Sequence, residues 1–188
     1  MAPKDKTIQK FISFTGPSCS GKTTIIGQCD WSKYTDNYRL VESHTRSLKS
    51  KGYQINDKAD NTTQVAIIDT HHINYLDYQC DTNKRTYITD RCILDGLIYT
   101  QWLYSKSLVD KNIYSYAKAV YDEIINKIDV IFYCNPVEFK NDQDRKISRS
   151  DHEFICTMFE EEIIKLTNVI KLTGTVEERL KIIDKHLK

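Results

Sequence analysis

The chain has 188 residues, of which 40% are hydrophobic, and a formal net charge of +1. This length suits one domain with a sizeable core and is short for two. The near-neutral charge provides no overall basic field for long nucleic acids, and no run of about 18 apolar residues predicts a membrane span. The first residues, MAPKDKTIQK, lack the apolar segment of a secretory signal, so we expect a cytoplasmic protein with no membrane partner.

The six cysteines are scattered and form neither a CxxC pair nor another metal-ligand spacing. Disulfide frameworks belong mainly to small secreted chains that cannot build their own core. We therefore expect reduced, mostly buried thiols, which agree with a cytoplasmic location.

Short apolar runs alternate with longer amphipathic ones, which is typical of an α/β fold with a largely parallel sheet. The predicted strands lie at 8–14, 38–42, 86–89, 129–134 and 168–172. The predicted helices lie at 22–29, 44–51, 93–106, 110–127 and 176–187. Another has its N-cap at Asn61 or Thr62 and carries apolar residues as far as Leu76, and one after the charged stretch 137–150 carries Ile155, Phe159 and Ile163. Ligands of such sheets bind beyond the carboxyl ends of the strands, where Gly16, Asp90 and Pro136 fall.

Residues 16–23, GPSCSGKT, match the phosphate-binding loop pattern GxxxxGK[ST] between a predicted strand and a predicted helix. Gly16 and Gly21 permit the backbone angles and the close approach that a phosphate-wrapping loop needs. Lys22 supplies a positive charge to the β- and γ-phosphates, and Thr23 supplies a hydroxyl for Mg²⁺. The predicted nucleotide site consists of Gly16, Pro17, Ser18, Cys19, Ser20, Gly21, Lys22, Thr23 and Thr24.

The third predicted strand ends in Ile88-Thr89-Asp90-Arg91, which favours a small kinase over other classes of phosphate-loop protein. A GTPase would carry an N-K-x-D-like motif, and a motor ATPase an apolar strand that ends in Asp-Glu; neither is found. Asp90 can orient Mg²⁺ or accept the proton of an acceptor hydroxyl, while Arg91 can hold the acceptor or a phosphate.

Four segments together resemble the small P-loop nucleoside and nucleotide kinases: GPSCSGKTT, VESHTR, TDRCILDGLIY and DQDRKISR. Within this group the chain is most similar to the ribosylnicotinamide-kinase-like ATPases, including versions common in phage genomes, and more distantly to thymidylate kinases. The resemblance extends through TTQ (62–64) and LTGTVEERL (172–180) and so covers nearly the whole chain.

The resemblance implies a three-layer P-loop NTPase fold with a five-stranded, mainly parallel sheet, formed as one kinase domain over 1–188. It implies ATP and Mg²⁺ as donor and cofactor, with the donor base beside residues 173–175, around Gly174. The implied acceptor is a small nucleoside or nucleotide.

Several further residues are candidates for the acceptor site. Glu42 and Arg46 are four residues apart, which predicts that they share a helical face and either form an ion pair or contact the acceptor. Asp95 can bond a sugar hydroxyl or stabilise the start of its helix. His71 and His72 are expected to be packing residues rather than metal ligands. Tyr75, Tyr99 and Tyr104 are candidates to stack on a base.

The charged segment 137–150 is predicted to be a lid that closes over the transferring group and excludes water. Arg145 and Arg149 are its catalytic candidates, because a guanidinium can bond two phosphate oxygens at once.

Two other functions remain open. One is a polynucleotide 5′-hydroxyl or modified-base DNA kinase, whose acceptor would be nucleic acid. The other is a nucleotide-sensing ATPase that transfers phosphate to no acceptor. The sequence is compatible with a homo-oligomer and leaves the oligomeric state open.

Overall fold

The computed structural model describes residues 9–136 and 147–188 of the chain. In these residues five strands form one sheet, and all of the strand pairs are parallel. The strands are β1 (Phe11–Thr15), β2 (Tyr38–Val41), β3 (Thr86–Asp90), β4 (Val130–Cys134) and β5 (Val169–Leu172), in the spatial order β2-β3-β1-β4-β5. The predicted α/β fold with a five-stranded parallel sheet is therefore confirmed.

Helices connect successive strands, as parallel pairing requires. They are α1 (Lys22–Gln28), α2 (His44–Ser50), α3 (Asn61–Cys80), α4 (Ile93–Ser105), α5 (Lys111–Ile124), α6 (Arg149–Ile163) and α7 (Val176–Leu187). Short 3₁₀ helices at Trp31–Lys33, Asn56–Lys58 and Ile125–Lys127 were not predicted. For the elements whose two ends were predicted, the ends differ by up to three residues, the largest shifts being at the start of β1 and the end of α5. Helix α3 continues four residues beyond Leu76, and α6 begins six residues before Ile155.

The sheet separates two hydrophobic clusters. Phe14, Ile88 and Phe132 belong to the cluster that packs with residues of α1 and α7. Tyr87 and Tyr133 belong to the larger cluster, which packs with residues of α3, α4, α5 and α6. Because β4 is covered by helices on both sides, its continuous apolar sequence is satisfied on both faces.

The N-cap of α3 was predicted wrongly. Asp60 caps this helix, because its side chain accepts a hydrogen bond from the backbone N–H of Thr63 at 2.8 Å. Asn61 instead pairs with the start of α5: its amide donates to Asp110 Oδ2 at 2.6 Å, and its Oδ1 accepts from the Asp110 N–H at 2.9 Å. Leu76, predicted on the apolar face of α3, is 43% exposed.

No helix in the described residues is long and apolar enough to cross a bilayer. All six cysteines are free, as their scattered positions predicted. Only Cys92 and Cys134 are buried, so the expectation of mostly buried thiols is wrong.

Candidate functional site

The loop between β1 and α1 (residues 16–21, hereafter the phosphate loop) depends on its two glycines. Gly16 has a φ of 134°, and a β-carbon built on it would lie 2.6 Å from the carbonyl oxygen of Cys134 in β4. Gly21 is the N-cap of α1 with a φ of 82°, in the left-handed region. Positive φ and close backbone contact both exclude larger residues, which is the reason the sequence analysis gave for these glycines.

Lys22, the first residue of α1, directs its amino group into the phosphate loop. Nζ donates to the carbonyl oxygens of Gly16 at 2.7 Å and Pro17 at 2.8 Å, and to Ser20 Oγ at 3.0 Å. Burial, together with the nearby Arg91 guanidinium, lowers the pKa of Lys22 to about 8. The loop thus holds a buried cation on its own carbonyl oxygens, and these can be exchanged for phosphate oxygens.

Thr23 and Asp90, predicted as a metal pair, are in direct contact. The parallel register sets Phe14 of β1 beside Asp90, so the end of β3 lies next to the start of the phosphate loop. The hydroxyl of Thr23 donates to Asp90 Oδ2 at 2.6 Å. A hydroxyl and a carboxylate at one point form the hard oxygen donor set that Mg²⁺ prefers, so these residues fit the ion.

The partly buried Arg91 and the buried Asp95 form an ion pair at the start of α4. Nη1 of Arg91 donates to Asp95 Oδ1 at 2.9 Å, while Asp95 Oδ2 accepts from the Thr15 hydroxyl at 2.7 Å and from the Cys92 N–H at 3.1 Å. Arg91 has a φ of 91°, a strained conformation for a side-chain-bearing residue. Asp95 stabilises the helix start, which is one of its two predicted roles, and it also orients Arg91, which was not predicted. Its contact with a sugar hydroxyl stays a prediction.

A cleft of about 460 Å³ opens above this edge of the sheet. Its lining combines the phosphate loop and the start of α1 with Asp90, Arg91 and the region around α2. The lining residues are Ser18, Cys19, Ser20, Gly21, Lys22, Thr23, Thr24, Ser43, Thr45, Lys49, Ile55, Asp90 and Arg91. The predicted phosphate-loop, metal and Asp90-Arg91 residues are therefore brought together.

A smaller, more apolar recess adjoins the cleft and shares Thr45, Ile55 and Arg91 with it. Gln64, Ile67, His71, Asp95, Tyr99 and Leu103 complete its lining. The Thr100 hydroxyl lies 2.9 Å from Gln64 Oε1 and 2.7 Å from the Gly96 carbonyl oxygen, so it fixes the Gln64 amide against α4. The recess thus combines apolar side chains with the Gln64 amide and with charged groups, and its volume of about 40 Å³ admits only part of a ligand that enters from the cleft.

Side chains from three helices hold the phosphate loop. Tyr99 of α4 accepts the Ser18 N–H at 3.1 Å, and its ring lies 5.6 Å from the Arg91 guanidinium carbon. His152 of α6 lies 3.3 Å from the Ser18 carbonyl oxygen, and Arg179 of α7 donates to the Ser20 carbonyl oxygen at 2.6 Å. Tyr99 was predicted as a candidate to stack on a base, whereas His152 and Arg179 were not predicted to lie at the site.

Glu42 and Arg46 do not share a helical face, so that prediction is wrong. Helix α2 begins at His44 with Ser43 as its N-cap, which leaves Glu42 in the extended segment before it. Val41 pairs with Thr89, so the exposed Glu42 still follows β2 at the sheet edge where Asp90 follows Thr89. The side chain of Arg46 lies outside the described part of the chain.

Only residues 147–150 of the predicted lid, 137–150, belong to the described part of the chain. Residues 137–146, including Arg145, lie outside the described residues, and α6 begins at Arg149. The side chain of Arg149 is 81% exposed and donates to Glu153 Oε1 at 3.1 Å. Its catalytic role stays a prediction that requires movement toward the cleft.

Gly174 lies at the turn between β5 and α7 with a φ of 80°, where glycine is required. Its carbonyl oxygen accepts from Arg179 Nε at 3.0 Å, and the following Thr175 forms a capping box with Glu178. The donor-base role of Gly174 stays a prediction.

The histidines and the other tyrosines have separate environments. His71 lines the recess, whereas His72 Nε2 lies 3.5 Å from Glu123 of α5. No metal-binding group of His, Cys, Asp and Glu occurs among the described residues. Tyr75 is buried against Phe11, and Tyr104 stacks on Tyr114, so of the three candidate tyrosines Tyr99 is the one in the recess.

Solved structures share this fold at low sequence identity. "Crystal structure of NadR protein in complex with NR" aligns with a TM-score of 0.68 and 14% identity over 97% of this chain and 52% of that chain. "Structure of deoxyadenosine kinase from M.mycoides with products dcmp and a flexible dcdp bound" aligns with a TM-score of 0.69 and 16% identity over 94% and 97% of the two chains. The chain thus spans about half the length of the NadR structure.

No curated protein matches this chain. A family model described as "AAA domain" matches residues 11–179, which includes the phosphate loop, all five strands and Arg179. Because this match extends over most of the sequence, the chain belongs to that AAA-domain family of P-loop proteins.

Proposed function

We propose that the protein is a small kinase that transfers the γ-phosphoryl group of ATP to a nucleoside-like acceptor. The observation that carries this proposal is that the cleft and the recess share three lining residues, Thr45, Ile55 and Arg91. A donor in the cleft and an acceptor that reaches from the cleft into the recess would meet at Asp90 and Arg91. In this proposal residues 1–188 form a single catalytic domain, and the protein acts in the cytoplasm.

Each residue at the junction has a chemical role in the proposal. Lys22 and the backbone N–H groups of the phosphate loop bind the donor phosphates. Thr23 and Asp90 hold Mg²⁺, which supplies charge neutralisation on the phosphates when bound. Arg91, already oriented by Asp95, faces the acceptor.

The proposed reaction forms one bond to the γ-phosphorus of ATP and breaks another. An acceptor oxygen bonds to the γ-phosphorus, the bond from that phosphorus to the β–γ bridging oxygen breaks, and ADP leaves. For a hydroxyl acceptor the proton passes to a carboxylate at this sheet edge, where Asp90 and Glu42 are the two candidates. Gly174 and the arginines Arg145 and Arg149 would complete the donor site on closure.

The names of the similar structures support an acceptor of this class. One is a NadR protein in complex with NR, and the other is a deoxyadenosine kinase with nucleotide products. The Gln64 amide and the Tyr99 ring, which line the recess beside the cleft, are consistent with either acceptor type.

The test is transfer of γ-³²P from Mg-ATP to a panel of acceptors. The panel contains nucleosides including deoxyadenosine, nicotinamide riboside, nucleoside monophosphates and 5′-hydroxyl oligonucleotides. Label on one small acceptor is the expected result. Label on oligonucleotide alone would favour a polynucleotide kinase, and ATP binding without transfer would favour the sensor; both contradict the proposal.

Two variants separate the chemistry from the fold. Lys22→Ala is expected to abolish transfer without unfolding the protein, because Lys22 makes its contacts within the phosphate loop. Lys33→Ala removes an exposed lysine of the same region and is the matched control. Retained activity in Lys22→Ala would refute the proposed mechanism.

A further inference from the structure

Arg179 joins three separate segments of the chain behind the phosphate loop. It lies on α7 and is 4% exposed. Nη1 donates to the Ser20 carbonyl oxygen at 2.6 Å, Nη2 to the Asn135 carbonyl oxygen at 3.0 Å, and Nε to the Gly174 carbonyl oxygen at 3.0 Å. One side chain therefore ties the phosphate loop to the end of β4 and to the turn before α7.

Arg179 is a positively charged residue that is almost completely buried, which is uncommon. Burying a cation is costly unless an anion or several hydrogen bonds compensate it. Its hydrogen-bond partners in the described part of the chain are neutral carbonyl oxygens. A triphosphate held on the other side of the loop would supply the missing negative charge at short range.

The contact with Ser20 also has a directional consequence. In a planar trans peptide the carbonyl group and the following N–H point in opposite directions. When the Ser20 carbonyl points at Arg179, the N–H of Gly21 points away from it. Gly21 lines the cleft, so an N–H that points away from Arg179 is available to phosphate oxygens bound there.

We propose that Arg179 is a positioning residue for the triphosphate donor, which holds the Ser20–Gly21 peptide with its N–H toward the phosphates and places a positive charge behind the loop. The inference rests on the proposed function only in that a triphosphate occupies the cleft. Arginine is needed because a planar guanidinium bonds three carbonyl oxygens in fixed directions, whereas a lysine ammonium keeps the charge without that geometry.

The test is the affinity for Mg-tripolyphosphate, measured by isothermal titration calorimetry. Arg179→Gln removes both the positive charge and the planar guanidinium, whereas Arg179→Lys removes the guanidinium and keeps the charge. Lys185→Gln, which changes an exposed cation on the same helix, is the control. We expect affinity to fall about 10- to 100-fold in Arg179→Gln and by an intermediate factor in Arg179→Lys, since bonds to charged groups are involved.

A purely structural role makes different predictions. The circular dichroism spectrum is recorded for every variant, and Arg179→Lys decides the question if Arg179→Gln does not fold. Tripolyphosphate affinity equal to wild type in a folded Arg179→Lys would overturn the proposal. The affinity for the ATP analogue AMP-PNP is measured in the same way. If the substitutions weakened binding of AMP-PNP but not of tripolyphosphate, the proposal would also be overturned, because the effect would then come from the turn at Gly174.

Kinetics provide a second readout. Once the transfer assay has identified an acceptor, both substitutions of Arg179 are expected to raise the KM for ATP and to leave the KM for that acceptor unchanged. If wild-type protein bound no tripolyphosphate, the donor site itself, and with it the proposed function, would fail. Normal wild-type binding with unchanged variants would refute only the role of Arg179.

Discussion

Replacing Gly16 by alanine tests the account of the phosphate loop most directly. The substitution adds one methyl group, but Gly16 has a φ of 134°, and the new β-carbon would lie 2.6 Å from the carbonyl oxygen of Cys134. Two costs therefore arise together. The side chain forces an unfavourable backbone angle, and it also collides with the backbone of a buried strand that cannot move without disturbing the sheet.

The magnitude follows from the two costs. A positive φ costs a residue with a β-carbon about 1–2 kcal/mol. Overpacking against a rigid neighbour adds about 1–3 kcal/mol. We therefore expect Gly16→Ala to lower the free energy of unfolding by about 2–5 kcal/mol. For a chain of this length each kcal/mol lowers the melting temperature by about 2–4 °C.

Two other glycines are matched controls for this experiment. Gly52 has a φ of 89°, but a β-carbon there meets nothing within 4 Å, so Gly52→Ala carries the backbone cost alone. Gly27 lies in α1, again with nothing within 4 Å, so Gly27→Ala is expected to stabilise the protein by about 0.5–1 kcal/mol through helix propensity.

The assay is urea unfolding followed by circular dichroism for the four proteins. The expected order of stability is Gly27→Ala above wild type, then Gly52→Ala, then Gly16→Ala. If Gly16→Ala were no less stable than Gly52→Ala, the contact with Cys134 would cost nothing. The close approach of β4 would then not be the reason for glycine at this position.

Three further predictions follow from the site. Because burial lowers the pKa of Lys22 to about 8 and a bound triphosphate favours its charged form, binding at pH 8.5 should take up protons. The calorimetric enthalpy should then differ between buffers of different ionisation heat, and equal enthalpies would contradict this. Tyr99→Phe should weaken ATP binding about fivefold by removing the acceptor for the Ser18 N–H, with the acceptor KM unchanged; a changed acceptor KM alone would count against it. Arg149→Ala should leave the melting temperature unchanged, since its pair with Glu153 is exposed, but slow transfer about tenfold or more; full activity would remove Arg149 from the mechanism.

The parts of the structure that depend on local sequence were predictable. The phosphate loop needs glycines at fixed spacing, and the strand before it and the helix after it are both contiguous with the motif. The position of Asp90 was also predictable, because the carboxyl ends of parallel strands share one edge of the sheet. The contact between Thr23 and Asp90 follows from these two facts together.

The supporting residues could not be predicted, because they reach the loop from elements distant in the sequence. Arg179 is 159 residues from Ser20, and His152 is 134 residues from Ser18. Neither stands in a motif whose spacing indicates a phosphate site. The error at Glu42 has another cause. The helix start at His44 was predicted correctly, but the four-residue spacing of Glu42 and Arg46 was interpreted as helical although Glu42 precedes that helix.

The position of β1 in the sheet determines when during synthesis the nucleotide site can form. Of the five strands β1 is translated first, but its two sheet neighbours are β3 and β4, so Phe14 must wait for Asp90 and then for Phe132. Pairing over such long sequence separations slows folding and leaves an apolar strand without partners in the nascent chain. The phosphate loop is therefore among the first functional segments to be translated and among the last to acquire its shape.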